Sequence, residues 1–405
     1  MLALAVGLTV IWALARTPVS AHIPYQPLIP CLAVFFVIVI AEWLLRRMRG
    51  LAELSELAAA PLRTLSLTRV ALRLLGFAAT LALVALGYWL FPEYHGGFYQ
   101  PYWQFLRTLA PCVILVPLYF LWADTRARTQ EDEFLQFGRL LMGGTSGVDA
   151  AVIRGHLLGW TVKAFFLPLM TVYLAEEFTF LYGMVRTLNL SAFTRYDAWF
   201  HLCYAIDLLF CVIGYTATTR LLDSHMRSVE PTLAGWLVAL ICYQPFYSLI
   251  GRSYLQYEGS VTWDSWLNPL PHLRDSVGVA IIVLSVIYAV STVAFGLRFS
   301  NLTHRGIITG GPYRFTKHPA YLSKNLSWWL ISVPFALNAG ALSALRHCVL
   351  LLMLNGVYFL RARTEERHLS RDPLYVAYAQ WINEHGLLAG VGRVLPWLRY
   401  RSPVP

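Results

Sequence analysis

Long apolar runs separated by short polar segments fill almost the whole of this 405-residue chain. A helix needs about 20 apolar residues to cross the hydrocarbon core of a bilayer, and most of these runs approach that length. They lie near residues 28–45, 70–91, 105–122, 156–176, 198–219, 234–251, 276–297, 322–337 and 341–360, with a shorter run at 2–15. The pattern predicts an all-α, polytopic integral membrane bundle of about ten transmembrane helices.

Composition and charge support this interpretation. Hydrophobic residues make up 57% of the chain and charged residues only 13%, which is well below the share in soluble domains. The net charge of +10 does not require a nucleic-acid partner, because the cations concentrate in alternate loops. Of 32 Lys and Arg, 22 lie in the loops at 46–69, 123–155, 220–233, 298–321 and 361–405, against 5 in the other set. The positive-inside rule therefore predicts cytoplasmic termini, and a bacterial inner membrane is the expected location.

Two polar runs flank the last pair of apolar runs, at residues 310–321 and 361–368. The apolar runs between them are joined by a short turn at 338–340. Two spans connected in this way return the chain to the membrane face that it left. We therefore expect the two polar runs to meet on the cytoplasmic side.

The first polar run is rich in hydrogen-bond donors. Its two glycines allow close backbone approach, and Pro319 biases His318 toward an extended conformation. A lone histidine before a proline is usually structural. Here it is accompanied by further donors that suit an anionic or zwitterionic soluble ligand, namely Tyr313, Arg314, Lys317 and Tyr321.

The second polar run contains twin acids among cations. Its simplest interpretation is a salt-bridged helix, in which Arg361 pairs with Glu365 and Arg363 pairs with Glu366 at spacings of four and three.

A few polar groups fall within the apolar runs, and Lys163 and Asp207 are the charged examples that stand out. Such residues usually pair or face the interior of a bundle. A structural ion pair and a transport or proton pathway both remain open. The six cysteines have no metal-ligand spacing, so we expect no metal site and treat them as small buried hydrophobic residues.

The C-terminal part of the chain combines several motifs in a fixed order: Gly311-Pro312-Tyr313-Arg314, His318-Pro319-Ala320-Tyr321-Leu322, the hairpin, Glu365-Glu366, and a tail with Tyr375, Tyr378 and Val394-Leu395-Pro396. In their order, spacing and topology these motifs resemble the isoprenylcysteine carboxyl methyltransferase family, whose core is similar to that of the phospholipid N-methyltransferases. The resemblance covers roughly residues 276–405. The resemblance does not extend to residues 1–275, which we expect to shape the acceptor cavity or to dock a partner.

The resemblance implies S-adenosylmethionine as cofactor, and a lipophilic acceptor that reaches it from the bilayer. The implied cofactor-binding residues are Gly311, Pro312, Tyr313, Arg314, His318, Pro319, Tyr321, Glu365 and Glu366. For a carboxylate acceptor, Arg361 or Arg363 could orient it; for an amine acceptor, Glu366 could take the proton. Lys317 replaces the arginine usual in the family, and Ser323 replaces a frequent glycine. A lysine lacks the bidentate geometry of an arginine, which argues against a role for residue 317 in clamping a carboxylate.

Two other function classes remain open. The first is a sterol-type membrane reductase, whose C-terminal core is similar but binds NADPH. The second is a transporter built on residues 1–275, which the intramembrane charges motivate.

Overall fold

The computed structural model describes residues 9–10, 13, 24–48, 62–126, 131–186, 196–249, 254–259 and 261–402. Almost all regular structure in them is helical, which confirms the predicted all-α class. The helices are α1 Leu28–Met48, α2 Leu67–Leu90, α3 Gln100–Leu109, α4 Leu115–Arg126, α5 Glu133–Leu141, α6 Ala150–Arg186, α7 Tyr196–Thr216, α8 Leu233–Leu240, α9 Trp263–Trp266, α10 Pro271–Val293, α11 Pro319–Ser332, α12 Ala341–Leu369, α13 Pro373–His385 and α14 Ala389–Val394. Two short antiparallel strands complete them, β1 Ser228–Val229 and β2 Thr303–His304.

Six helical segments in the described residues are long and apolar enough to cross a membrane. They are Leu67–Leu90, Gly97–Arg126, Ala150–Val185, Tyr196–Thr216, Pro271–Val293 and Ala341–Leu369. The other predicted spans are shorter: the apolar part of α1 covers Leu28–Ala41, α8 has 8 residues and α11 has 14. The run at 2–15 lies largely outside the described residues. An integral membrane protein is thus supported, while the count of ten and the sidedness stay predictions.

The chain divides into two compact units. The first comprises Met1–Leu188, Leu208–Val229 and Gly296–Arg305, and the second comprises Asn189–Asp207, Glu230–Phe295 and Gly306–Pro405. All the residues of the two polar runs belong to the second unit. The division of the chain into residues 1–275 and 276–405 concerns function, and it stays a prediction.

In the first unit, α2 and α5 pack with their backbones in close approach. A Cβ atom added at Gly138 would lie 2.0 Å from the carbonyl oxygen of Leu72, and one added at Gly76 would lie 2.1 Å from that of Phe134. Small residues permit such crossings between membrane helices. In the sequence, charged residues alternate with apolar ones over 123–155, which predicts an amphipathic helix here on the cytoplasmic membrane surface. The helix exists, but Leu135 on it is fully buried against the protein.

The two intramembrane charges have partners of their own. In the first unit, the Nζ atom of Lys163 lies 4.6 Å from the ring centroid of Trp160. In the second unit, the buried carboxylate of Asp207 accepts hydrogen bonds from the hydroxyls of Tyr288, at 2.8 Å, and Thr292. Hydroxyl donors of this kind satisfy a carboxylate at membrane depth.

The second unit contains the hairpin of α11 and α12. Polar side chains join the two helices inside the apolar runs: the Asn355 amide donates to Asn325 at 2.6 Å and accepts from the Trp329 indole at 2.8 Å. Interhelical hydrogen bonds of this kind fix the register of packed membrane helices. Helix α12 continues to Leu369, beyond the predicted end of the span at 360, so the second polar run lies on its last turns.

Candidate functional site

The hairpin brings the two polar runs together, as the sequence predicted. Helix α11 begins at Pro319, where the missing N–H of proline costs no helical hydrogen bond. His318 and Tyr321 therefore lie at the N-terminus of this helix. The Nε2 atom of His318 lies 3.3 Å from Oε1 of Glu366, and the Tyr321 hydroxyl donates to Glu365. We call this group of residues the carboxylate node: Lys317, His318, Tyr321, Arg361, Arg363, Glu365 and Glu366.

Glu366 is the buried member of the twin acids. Its side chain is 7% exposed and meets three donors: Lys317 Nζ at 2.7 Å, Arg363 Nη1 at 2.8 Å and His318 Nε2 at 3.3 Å. Burial lowers the pKa of Lys317, although the neighbouring carboxylate acts in the opposite direction. The lysine thus makes a buried contact with Glu366 without the two-pronged geometry of an arginine.

Glu365 is more accessible, with 27% of its side chain exposed. Its Oε1 atom accepts from the Tyr321 hydroxyl and lies 3.4 Å from Nε of Arg361, and its Oε2 atom lies 3.8 Å from Nδ1 of His318. Both helix pairs predicted from spacing therefore form. Each acid also contacts the loop before α11, so the pairs are part of a tertiary contact.

Aromatic rings surround the cation beside Glu365. The guanidinium carbon of Arg361 lies 5.1 Å from the ring centroid of Tyr321 and 5.5 Å from that of Tyr243. Its side chain is only 4% exposed. The rings of His318 and Tyr321 are parallel, with centroids 5.5 Å apart. Sequence reasoning missed Tyr243, because the apolar run that contains it gave no reason to single out one tyrosine.

The Gly-Pro-Tyr-Arg motif forms a 3-10 turn, Gly311–Arg314. Gly311 has φ +58°, a conformation that disfavours other residues. Tyr313 is buried among other tyrosines, and the Tyr378 hydroxyl donates to its carbonyl oxygen at 2.7 Å. Burial raises the pKa of Tyr313 well above its usual value. In this position its phenol ring packs in a core, so only the backbone of the turn, half-buried Pro312 and exposed Arg314 face outward.

The C-terminal tail is a further part of the site. Arg363 donates to the carbonyl oxygens of Trp397 and of Arg399, the latter at 3.0 Å. The Tyr400 ring lies 5.4 Å below Nζ of Lys317, and its hydroxyl is 2.8 Å from Ser370. The resemblance extends to the tail, but these particular contacts have no signature in the sequence.

A second buried acid supports the end of α12. The Glu230 carboxylate is 3.3 Å from Nδ1 of His368 and accepts from the backbone N–H of Thr232 at 2.9 Å. Burial opposes ionisation, but hydrogen bonds from His368 and Thr232 outweigh it and lower the pKa of Glu230. Gly235 is required beside it, since an added Cβ would lie 2.4 Å from the Glu230 side chain. Nothing in the sequence pattern indicated Glu230.

The site offers two kinds of chemistry to a soluble ligand. Glu365 has a partly exposed carboxylate that can accept from an ammonium or a hydroxyl group. The parallel rings of His318 and Tyr321 lie beside it and suit a flat or cationic group. Both features fit S-adenosylmethionine, which carries an amino group, ribose hydroxyls, an adenine ring and a positive sulfur.

Residues 277–371 match the isoprenylcysteine carboxyl methyltransferase (ICMT) family. The matched stretch begins in α10 and ends just after α12, so it contains the whole carboxylate node and the loop before it. The chain has no significant match among curated proteins or among solved structures. The resemblance is therefore confirmed for the C-terminal part, and it supports membrane methyl transfer as the class of activity.

Proposed function

We propose, from the ICMT family match of residues 277–371, that this chain transfers a methyl group from S-adenosylmethionine to a lipophilic acceptor at a membrane face. The observation that carries the proposal is the pair Glu365 and Glu366 at the end of a candidate membrane-spanning helix, in contact with the loop that precedes α11. This arrangement offers a polar site to a soluble cofactor next to a bilayer that can deliver a lipophilic acceptor.

The residues proposed to hold the cofactor are Glu365, His318, Tyr321 and the turn Gly311–Arg314. Glu365 would accept from its amino or hydroxyl groups, and the ring pair would contact its flat or cationic part. The bound cofactor supplies an activated methyl group, so no nucleophile is required from the chain. The work left to the protein is orientation and exclusion of water.

Glu366 is proposed to act as a positioning residue. Three donors hold its carboxylate, and a carboxylate stabilised in that way is a weak base. Arg361 and Arg363 are proposed to position the carboxylates of Glu365 and Glu366, with which they form ion pairs. Either arginine would orient an acceptor carboxylate by exchanging its present partner for that group.

The acceptor is proposed to be a carboxylate of the isoprenylcysteine type or a lipid, and a bacterial inner membrane is the proposed location. Residues 1–275 are proposed to shape the acceptor's cavity or to dock a partner. Their apolar, candidate membrane-spanning helices suit contact with a lipophilic molecule. Neither role depends on the cofactor site, so each can be tested separately.

Ligand binding tests the cofactor part of the proposal. We expect S-adenosylmethionine to stabilise the purified protein against thermal unfolding and NADPH to have no effect. Glu365→Gln should weaken binding of S-adenosylmethionine about tenfold, the loss of one charge-assisted hydrogen bond. Glu384→Gln is the matched control, because Glu384 is exposed on α13. Stabilisation by NADPH instead of S-adenosylmethionine would favour the reductase and overturn the proposal.

The chemistry of the product identifies the acceptor class. Protein incubated with methyl-labelled S-adenosylmethionine and native lipid extract should transfer label to a lipid-soluble species. Mild alkali releases the label as methanol from a carboxyl methyl ester and leaves an N-methyl amine intact. A label that never enters the lipid-soluble fraction, with either native extract or prenylated cysteine as acceptor, would contradict a lipophilic acceptor.

A further inference from the structure

Exposed apolar side chains recur at helical spacing along the last segment of the second unit. We call them the tail face: Leu387, Leu388, Val391, Val394, Leu395 and Trp397. Each is between 39% and 77% exposed, while Gly392, on the other side of α14, is buried. In a water-facing helix the apolar side is the buried one, so this segment has the opposite arrangement.

The apolar surface extends to neighbouring parts of the same unit. Leu374 and Trp381 are exposed on one flank of α13, beside its buried face. Phe315, 62% exposed, joins them from the loop before α11, because its carbonyl oxygen accepts from the backbone N–H of Leu387 at 2.7 Å. These residues add to the exposed apolar side chains of the C-terminal part of the second unit.

The same C-terminal stretch carries several cations. Arg371, Arg393 and Arg401 are exposed in it, and Arg399 is partly exposed. Between Pro373 and Ser402 the chain has one acidic residue, Glu384. An exposed apolar face with Trp at one end and arginines in the same stretch is typical of a segment that lies in a membrane interface with anionic headgroups.

The connection to the bilayer is direct. Helix α12 is a candidate membrane-spanning helix that ends at Leu369, and α13 begins at Pro373. Three residues extend at most about 10 Å, so α13 starts on the side of the membrane on which α12 ends. We propose that the tail face inserts into the headgroup region of the lipid leaflet at that end of α12, and that the arginines of the same stretch bind lipid phosphates.

The same segment is fastened to the carboxylate node. The carbonyl oxygens of Trp397 and Arg399 accept hydrogen bonds from Arg363, and the Asn383 side chain bonds the Tyr400 backbone in both directions, at 2.8 and 2.9 Å. Insertion of the tail face would thus fix the depth of Glu366 relative to the bilayer surface. If the proposed methyl transfer is correct, this depth sets how a bilayer-borne acceptor meets the site.

Photo-crosslinking in the otherwise unchanged protein tests the insertion. The probe p-benzoyl-phenylalanine replaces Val391 or Val394 in the tail face, or the exposed Glu384 on α13 as control, in nanodiscs containing phosphatidylglycerol. We expect lipid adducts by mass spectrometry at 391 and 394, in at least fivefold higher yield than at 384. Replacing phosphatidylglycerol with phosphatidylcholine should lower that yield at least twofold.

Each other outcome is decisive. Equal yields at 391 and 384, or crosslinks from 391 to a second copy of the chain, would overturn insertion. Equal yields with the two lipids would overturn the role of the arginines. Because the readout requires neither S-adenosylmethionine nor turnover, failure of the tail face and failure of the proposed function are distinguishable.

Discussion

The substitution Glu366→Gln examines the centre of the carboxylate node. It keeps the size of the side chain and removes the negative charge beside Lys317. The lysine nitrogen lies 2.7 Å from the carboxylate, and its side chain is 9% exposed. Removing one partner of a buried ion pair costs about 3–5 kcal/mol of stability. The contacts of Glu366 with Arg363 and His318 contribute less, because these two side chains are more exposed than Lys317. We expect the free energy of unfolding to fall by about 2–4 kcal/mol.

The loss should depend on pH in a direction that Lys317 sets. Burial lowers the pKa of Lys317 below its usual 10.5, so the unfolded chain binds more protons, and stability rises with pH across that interval. Without the charge of Glu366 the pKa falls further, and the interval of rising stability begins at a lower pH. The deficit of the variant relative to the wild type should therefore shrink as the pH rises toward 10.5, the usual pKa of a lysine.

Equilibrium unfolding by SDS in mixed micelles provides the measurement, with Glu384→Gln as the matched control. Adding Lys317→Met should restore part of the loss, with a coupling energy of about 1–3 kcal/mol, since the lysine is then no longer an unpaired buried charge. A deficit below about 0.5 kcal/mol, as for an exposed pair, or one that is constant with pH and additive with Lys317→Met, would refute the reasoning.

Three further predictions use the same unfolding assay. The pKa of Glu230 is lowered, so its carboxylate stabilises the fold above pH 4.5, and this stabilisation is lost as the pH falls through the lowered pKa. Acidification below pH 4.5 should therefore destabilise the wild type more than Glu230→Gln; equal acid sensitivity of the two proteins would contradict this prediction. Asn355→Leu should cost about 0.5–2 kcal/mol by leaving its hairpin partners unsatisfied, and a neutral result would exclude this network as a source of stability. Gly138→Ala should cost about 1–3 kcal/mol through overpacking, whereas Gly87→Ala, with open space around the added Cβ, should be neutral or stabilising; equal effects would rule out the close approach of α2 and α5.

Much of the fold class and part of the site follow from the sequence because the relevant interactions are local. Apolar runs of bilayer length require helices, since a helix alone satisfies its backbone hydrogen bonds within one segment. The pairs of Arg361 with Glu365 and of Arg363 with Glu366 need only helical spacing. The meeting of the two polar runs needs only a hairpin that returns the chain to one membrane face, and the contact of His318 with Glu366 confirms it.

The tertiary structure decided what depends on register and rotamers across long separations. Lys317 and Glu366 are 49 positions apart, and only the packing of α11 on α12 makes them partners, since periodicity gives no register between helices. The same holds for the buried ring of Tyr313, which the sequence presented as a possible ligand contact. A hydropathy pattern records which residues avoid water, but not which donor reaches which acceptor, so the order within the carboxylate node belongs to the fold.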